Sequence, residues 1–432
     1  MSGSDQMSSH EWEQLPLANI PNEIFDKTED PRVERCKLHL FKDILAIALC
    51  ATIADADGWI EIEEFGKSKQ TWLETWLELP SGIPSDDTFR RVISAIDPEY
   101  FGRALMNLRN WIRETLTRAS NVEDSADDAS VEKGDGEKDD EEQKKNYPDG
   151  QQVAIDGKCL RSANDEDHKR GNFYMLNAWA TEEGVALGQR KVNGKSNEIK
   201  EIPEILKTLS TKGRVFTIDA AGAQKNIAEI IVDGEGDYIL GLKGNQETLH
   251  DEACNYFSQA LEIYDQAQEK DSKGVAEMHS IDISIHTSES QGHGRHEKRE
   301  VFVATELDWL PVRGKWKGLQ SIIAVRSTRT YNGVTSVEIR YYISSLNLDA
   351  KQMGKYIRSH WSIENSLHWI LDVAFDEDKI SISKGNAPVN LSILRTLCLS
   401  LIKQNERKGG VKTKRKKAAW DFKFLCEVLM GA

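Results

Sequence analysis

Cysteine is scarce and scattered. The six residues, Cys36, Cys50, Cys159, Cys254, Cys398 and Cys426, form no CxxC pair. That excludes the common zinc signatures, offers no disulfide framework and fits a reducing compartment. No run of about 18 apolar residues occurs, so no membrane span is expected. The opening MSGSDQMSSHEWEQ lacks the basic start and apolar stretch of a secretory signal, and a cytoplasmic location is expected. There is no internal repeat. Positive charge is also short: 56 Lys and Arg stand against 71 Asp and Glu, a net charge of −15. Averaged over the chain, that argues against nucleic acid as a partner.

The average hides a strongly uneven distribution. Residues 121–149 hold twelve acids and four lysines, and the first 31 residues are also acidic. The end, RKGGVKTKRKKAAWDFK, is basic. What is plentiful is apolar residues, 39% of the chain with eleven tryptophans, enough for a substantial core.

The periodicity divides the chain. Residues 1–31 read as an acidic arm. Residues 32–118 read as an all-helical domain: CKLHLFKDILAIALCATIADA is apolar all round and suits a buried helix. SDDTFRRVISAI has Ser85 as N-cap, acids in the first turn and Phe89, Val92 and Ile96 on one face. Residues 119–149 are too polar to offset their ordering entropy and read as a disordered linker. From 150 the pattern changes to three strand candidates, a helix, a strand ending on Asp219, a helix, a strand and a long helix. A three-stranded meander followed by α/β units is the order of a ribonuclease H-like α/β fold. That core is expected over 150–264 and 346–405, interrupted by a β-rich insertion at 265–345 and followed by a basic tail at 406–432.

Three carboxylates stand out by position: Asp156 inside the first strand, Asp219 at the end of the fourth, and Glu364 in the helix after the insertion. In such a fold the first and fourth strands are central neighbours, so their ends bring two acids together, and a helix alongside can add the third. A cluster of this kind repels itself without a cation, and hard oxygen donors suit Mg²⁺ or Mn²⁺. Two such ions can activate the attacking oxygen and stabilise the leaving one in phosphodiester displacement.

The stretches DPRVERCKLHLFKDILAIALCA, VAIDGKCLRSA, LGQRKVNGKSNEI, VFTIDAAGAQK, DYILGLKGNQETLH, HGRHEKRE, RYYISSLN, HWSIENSLHWILDVAFDED and KGNAPVNLSILR occur in order. Through them the chain resembles the insertion-sequence DDE transposases of the H-repeat-associated (ISAs-type) kind, from about residue 30 to the end, outside the acidic segment. The resemblance implies a ribonuclease H-like core, metal-dependent DNA strand cleavage and strand transfer, and Asp156, Asp219 and Glu364 as catalytic, metal-holding acids for two Mg²⁺ or Mn²⁺ ions. The chain departs from the wider pattern around the catalytic Glu. Tyr356 and Arg358 lie upstream with different spacing, and Leu371 stands where a Lys would be.

The implied partners are double-stranded DNA, as element ends and as target, and a second copy of the chain when DNA is bound. The protein would then be nucleoid-associated. Candidate DNA contacts are Lys158 and Arg161 after Asp156, Lys243 and Asn245 in the LKGNQ turn, and Arg295 and His296 with His293 in the GHGRH loop. Asn365 and His368 beside Glu364 and Arg90 and Arg91 on the possible reading helix complete the set. Each has an ordinary alternative: a solvated strand end for Lys158 and Arg161, a packed helix for His368, and for the KTKRKK run a solvated terminus. Trp309 and Trp316 read as core rather than base-stacking residues. A domesticated DNA-binding regulator or a structure-specific nuclease remains an alternative to an active transposase.

Overall fold

The computed structural model of the chain describes residues 30–33, 37–108, 152–161, 173–192, 197–269, 283–292, 294–379, 382 and 384–430. The acidic arm up to residue 29, the acidic segment at 119–149 and His293 lie outside the described residues.

The sequence builds a three-layer α/β/α arrangement around one nine-stranded sheet of order β3-β2-β1-β4-β5-β9-β8-β7-β6. β1 (Gln152–Leu160), β2 (Phe173–Ala180) and β3 (Val185–Val192) form an antiparallel meander. β4 (Val215–Ile218) runs parallel to β1, and β5 (Asp237–Leu242) parallel to β4. β4 and β5 are buried at every position, as expected of parallel strands covered on both faces. α4 (Glu198–Thr208), α5 (Lys225–Asp233) and α6 (Glu247–Glu269) follow β3, β4 and β5. The expected order βββ-α-β-α-β-α is the one observed.

The strands β6 (Ile283–Gly292), β7 (Arg295–Ala304), β8 (Ser321–Tyr331) and β9 (Val334–Ser344) do not form a separate lobe. β9 pairs antiparallel with β5, so the expected insertion continues the core sheet. The reason is visible in its sequence. The inner halves of β7 and β8 alternate Val301, Val303, Ile323 and Val325 on one face with Phe302, Ala304, Ile322 and Ala324 on the other, and all are buried. The outer halves of β7 and β8 are polar and less buried.

One face of the sheet is covered by α4, α5 and α6 through Ile202, Ile205, Ile227, Ile231, Leu249 and Phe257. The other carries α7 (Ala350–His360), α8 (Trp369–Ala374) and α9 (Ala387–Gln404). The amino-terminal helices α1 (Phe41–Ile53), α2 (Trp59–Ser68) and α3 (Asp86–Ala95) join this layer, since Ile44, Ile47, Phe89 and Ile93 share a core with Met175, Trp179 and Leu397. Asn390 on α9 donates to the Ile93 and Ile96 carbonyls at the end of α3, at 2.7 and 2.9 Å.

The basic tail is likewise part of the core. It forms α10 (Val411–Trp420) and α11 (Phe422–Met430), whose Phe424, Leu425, Val428 and Leu429 are buried. Two of the cations in KTKRKK turn inward. Lys414 Nζ donates to the Ile402 and Asn405 carbonyls at the end of α9, at 3.3 and 2.6 Å. Arg415 is fully buried. The run is therefore not a loose DNA-binding arm, because an α-helix has an inner face and the charges at 414 and 415 fall on it.

Candidate metal centre

The three acids arrive from three elements. In the parallel β1/β4 pair Ile155 lies opposite Ile218, so the next residues, Asp156 and Asp219, are neighbours across the ends of two central strands. β4 stops there, and the chain enters a short turn at Ala220–Gly222. Asp219 Oδ1 accepts from the Ala221 and Gly222 amides at 3.0 and 3.3 Å, which fixes the turn and the carboxylate together. β5 backs onto this turn. A Cβ on Gly241 would come within 2.9 Å of the Ala220 nitrogen, so only glycine permits the approach.

Glu364 is placed by α7. Gln152 at the start of β1 donates to the Tyr356 carbonyl at 2.8 Å and to Thr217 Oγ1 at 3.1 Å. His360 Nδ1 lies 3.0 Å from the same Thr217 hydroxyl. These bonds tie the last turns of α7 to β1 and β4. The helix then widens into a π-turn over Glu364–His368, with the Trp369 amide donating to the Glu364 carbonyl five residues back. π-turns of this kind recur at functional sites because the extra residue re-aims side chains. Asp156, Asp219 and Glu364 all line one cavity of 310 Å³, together with Lys243, Arg340, His360 and Trp361.

The cavity is electrostatically uneasy. Burial pushes the Asp156 carboxyl up to about 7, and the charges of Asp219, Glu198 and Glu364 add to the shift, against a hydrogen bond from the Gly157 amide. Burial, then the nearby Lys158 charge, lowers His368 to about 4. Burial also lowers His360. Both imidazoles are thus neutral at pH 7 and supply no counter-charge. Asn177 Nδ2, 3.4 Å from His368 Nε2, also donates to the Met175 carbonyl, while its Oδ1 accepts from Gln189. That network assigns the His368 proton to Nδ1, which faces Asp156 Oδ2 at 3.8 Å. An all-oxygen set such as Asp156, Asp219 and Glu364 suits a hard divalent ion. Among the described residues no three His, Cys, Asp or Glu side chains stand close enough to hold one ion as placed. Closing all three acids on a cation therefore requires their side chains to rotate inward.

The expected DNA contacts fare differently. Lys158 is not available to phosphate. Only 6% exposed, its ammonium pairs with Asp372 and Glu377. Burial alone would lower it, yet Glu377 and Asp372 hold it above the usual lysine range. The strand alternation that aims Asp156 at the α8 side of the sheet aims Lys158 there too. We expect Lys158→Ala to lower stability by about 3–5 kcal/mol in urea unfolding, because it takes the bridging cation from buried Glu377 and half-buried Asp372. A phosphate-holding role would instead leave unfolding unchanged and weaken DNA binding.

Asn245 is also committed to structure: its Nδ2 donates to the Ala220 carbonyl at 2.7 Å, and Gln246 Nε2 donates to Ala223 at 2.9 Å. The LKGNQ turn thus braces the loop after Asp219 and leaves Lys243 on the cavity wall. Arg161 is exposed, 3.9 Å from Asp378. Arg295 is exposed at the root of the β6–β7 turn, and His296 Nε2 lies 3.3 Å from Glu289. Asn365 Nδ2 donates to the Trp361 carbonyl. Arg90 and Arg91 are both paired with Asp87 on the same helix. Trp316 is buried, and Trp309 stacks on Tyr256 with centroids 4.5 Å apart.

Arg340 and Trp361 also line the cavity. Arg340 sits 4.9 Å over the Trp361 ring. Neither carried a local motif.

Residues 147–401 match the family model described as the transposase DDE domain, and residues 22–111 match the one described as DDE transposase-associated. YncI of Escherichia coli O157:H7, a candidate transposase, is 37% identical over 396 residues, covering 90% of this chain and 89% of its own. YhhI of Escherichia coli K12, a candidate H repeat-associated transposase, is 34% identical over 400 residues, covering 91% and 93%. A solved piggyBac transposase synaptic complex with hairpin DNA superposes at a TM-score of 0.39 and 10% identity, over 96% of this chain and 77% of that one. A likeness that weak carries no argument.

Proposed function

Since the chain belongs to the DDE transposase family, we propose that it cuts DNA strands at the ends of an insertion sequence and joins them to target DNA, with Asp156, Asp219 and Glu364 holding two Mg²⁺ or Mn²⁺ ions. The observation that carries this reading is the β1/β4 register, which sets Asp156 beside Asp219 at the ends of two central strands, with Glu364 on the same cavity wall. The strand order 3-2-1-4-5 within the sheet, with β2 antiparallel to its neighbours and β4 and β5 parallel to β1, supports a ribonuclease H-like core.

When bound, divalent ions polarise the scissile phosphate and stabilise charge on the attacking and leaving oxygens. The chain's own residues prepare that chemistry. The Asp219 turn holds its carboxylate by two amides, leaving Oδ2 for the cavity. Neutral His368 faces Asp156 with its Nδ1 at 3.8 Å and adds no charge to the cavity. Thr217, His360 and Gln152 hold α7, and so Glu364, against β4. Lys243 on the rim provides positive charge for the phosphate backbone, while the Arg340 charge is shared with Glu338. A dimer on DNA follows from the need to hold two element ends at once.

The test is a strand-transfer assay with purified protein, Mg²⁺ or Mn²⁺, and DNA carrying the gene's flanking ends. Joining is expected, and Glu364→Gln should reduce it by more than about 10³-fold, some 4 kcal/mol of transition-state stabilisation. Specific binding without cleavage would overturn the catalytic reading in favour of a regulator. Cleavage without joining would reduce it to a nuclease.

A further inference from the structure

On the surface of a chain with a net charge of −15, a cation is expected to meet a carboxylate. Lys67, Arg90, Lys317 and Arg340 all do. The outward side of α10 differs. Of its cations, Lys414 and Arg415 turn inward, and Lys417 sits 4.5 Å over the Phe424 ring. Lys412, Lys416 and Trp420 recur at every fourth residue, so they share one helix face, and all three are exposed. Lys408 before the helix and Lys423 after it are exposed too. Among the described residues Lys408, Lys416 and Lys423 have no ion pair. Lys412 has the nearby charge of Asp376, which is already bonded to Lys379. We propose that this face of α10 is a docking surface for the phosphate backbone of DNA.

The ordinary explanation of exposed lysines is a solvated helix face. Stability alone does not account for this one. Lys412 and Lys416 stand four residues apart, where like charges repel. Lys412 is the second residue of α10, in a first turn that holds no acid, and a cation there opposes the helix dipole. Trp420 is 78% exposed and adds little to the core. Cations beside a bare ring suit a nucleic acid, since ammonium groups hold phosphates and the ring packs on sugar or base.

The surface is also held in a fixed place. The inward Arg415 donates to the Ala374 carbonyl at the end of α8 and so ties α10 to it. Ala374 lies ten residues beyond Glu364, about 15 Å along a helix. The stripe is therefore within about one duplex turn of the cavity, roughly 35 Å. A phosphate reacting in the cavity leaves flanking phosphates of the same duplex for α10. The inference rests on the DNA-cutting reading above and adds where the flanking duplex is held.

The experiment is a salt titration of DNA binding by the full-length protein, read by fluorescence anisotropy. It uses a labelled duplex carrying the gene's flanking ends, in EDTA so that nothing is cut, and each variant is first checked by thermal melting. Lys412→Gln with Lys416→Gln keeps helix propensity and removes two charges. It should bind roughly tenfold more weakly at 0.1 M salt, and the slope of log affinity against log salt should fall by about 2. Trp420→Ala should weaken binding about fivefold with the slope unchanged, since a ring contact releases no counterions. The control is Lys67→Gln with Lys207→Gln, the same loss of charge at lysines already paired with acids, and it should bind as the unaltered protein does. Unchanged affinity and slope in the Lys412 and Lys416 variant would overturn the surface and leave the catalytic reading standing. An equal loss in the control would also overturn it, by making the effect one of net charge. If the unaltered protein binds no DNA at any salt, the DNA-cutting reading falls with it.

Discussion

Asp156→Asn should abolish strand cleavage and, in the absence of divalent metal, make the protein more stable. The two effects share one cause. The Asp156 side chain is 24% exposed and surrounded by acids, and its carboxyl is raised from 3.8 to about 7. A carboxylate whose folded-state value is raised destabilises the fold once pH exceeds its unfolded value. The cost is absent near pH 3, grows between about pH 4 and 7, and is complete above about 7. A shift of that size has a ceiling of roughly 4 kcal/mol. Solvent screening of a partly exposed group and relaxation of the cavity bring the expected gain to about 1–3 kcal/mol.

Calorimetry in EDTA should therefore show Asp156→Asn melting several degrees higher at pH 8 and unchanged at pH 4. Added Mg²⁺ should stabilise the unaltered protein, because a ligand that binds only the folded state shifts the equilibrium toward it, and should do so far less for the variant. Joining activity should fall by more than about 10³-fold. Equal melting of the two proteins at pH 8 would show that Asp156 is not under strain. Retained cleavage by the variant would remove it from the catalytic set.

The other large effect concerns Arg415. Its guanidinium is fully buried, donates to the Thr52 carbonyl at 2.9 and 3.2 Å, and reaches the Ala56 and Ala374 carbonyls. It also holds Asp57 Oδ1 at 2.7 Å and lies 4.1 Å from the centre of the Phe375 ring. One side chain thus ties α10 to the end of α1 and to the end of α8. Burial raises the Asp57 carboxyl, and the Arg415 charge opposes that rise.

Arg415→Ala removes the donor to several buried carbonyls and takes from Asp57 its hydrogen-bonded cation, leaving only the Arg395 charge nearby. The expected loss is about 3–5 kcal/mol, a large share of the 5–15 kcal/mol typical of a folded protein. The variant should accumulate poorly in soluble form, and its urea midpoint should fall sharply. Arg415→Lys should restore little, since an ammonium cannot reach carbonyls on two sides with a planar fork of donors. A role in DNA binding would give the opposite pattern: unchanged unfolding, weaker DNA affinity and a smaller salt dependence.

The site was partly legible in the chain. A carboxylate inside AIDGK and another ending VFTIDAAG announce strand positions, because acids rarely interrupt apolar strands. The β1/β4 register sets those two strand ends side by side. The supporting residues were not legible. Lys158 is two positions from Asp156 and shares its face, but its partners Asp372 and Glu377 lie more than 200 residues away. Asn245 follows a strand end where backbone amides favour phosphate, yet its amide is already committed to Ala220. Arg415 sits in a run whose composition reads as a solvated cation patch, and burial reverses that reading.

By itself the sequence determined the order of the elements, the buried parallel strands, the amphipathic faces of the helices and the family, since each rests on local periodicity or on ordered motifs. Tertiary structure alone decided that the β-rich segment continues the core sheet and that the amino-terminal helices and basic tail share one layer. It also decided which cations meet carboxylates. The physical reason is the same in each case. A side chain's partner depends on which elements pack together, and one local pattern serves equally for a charge facing water and for a charge facing a distant acid.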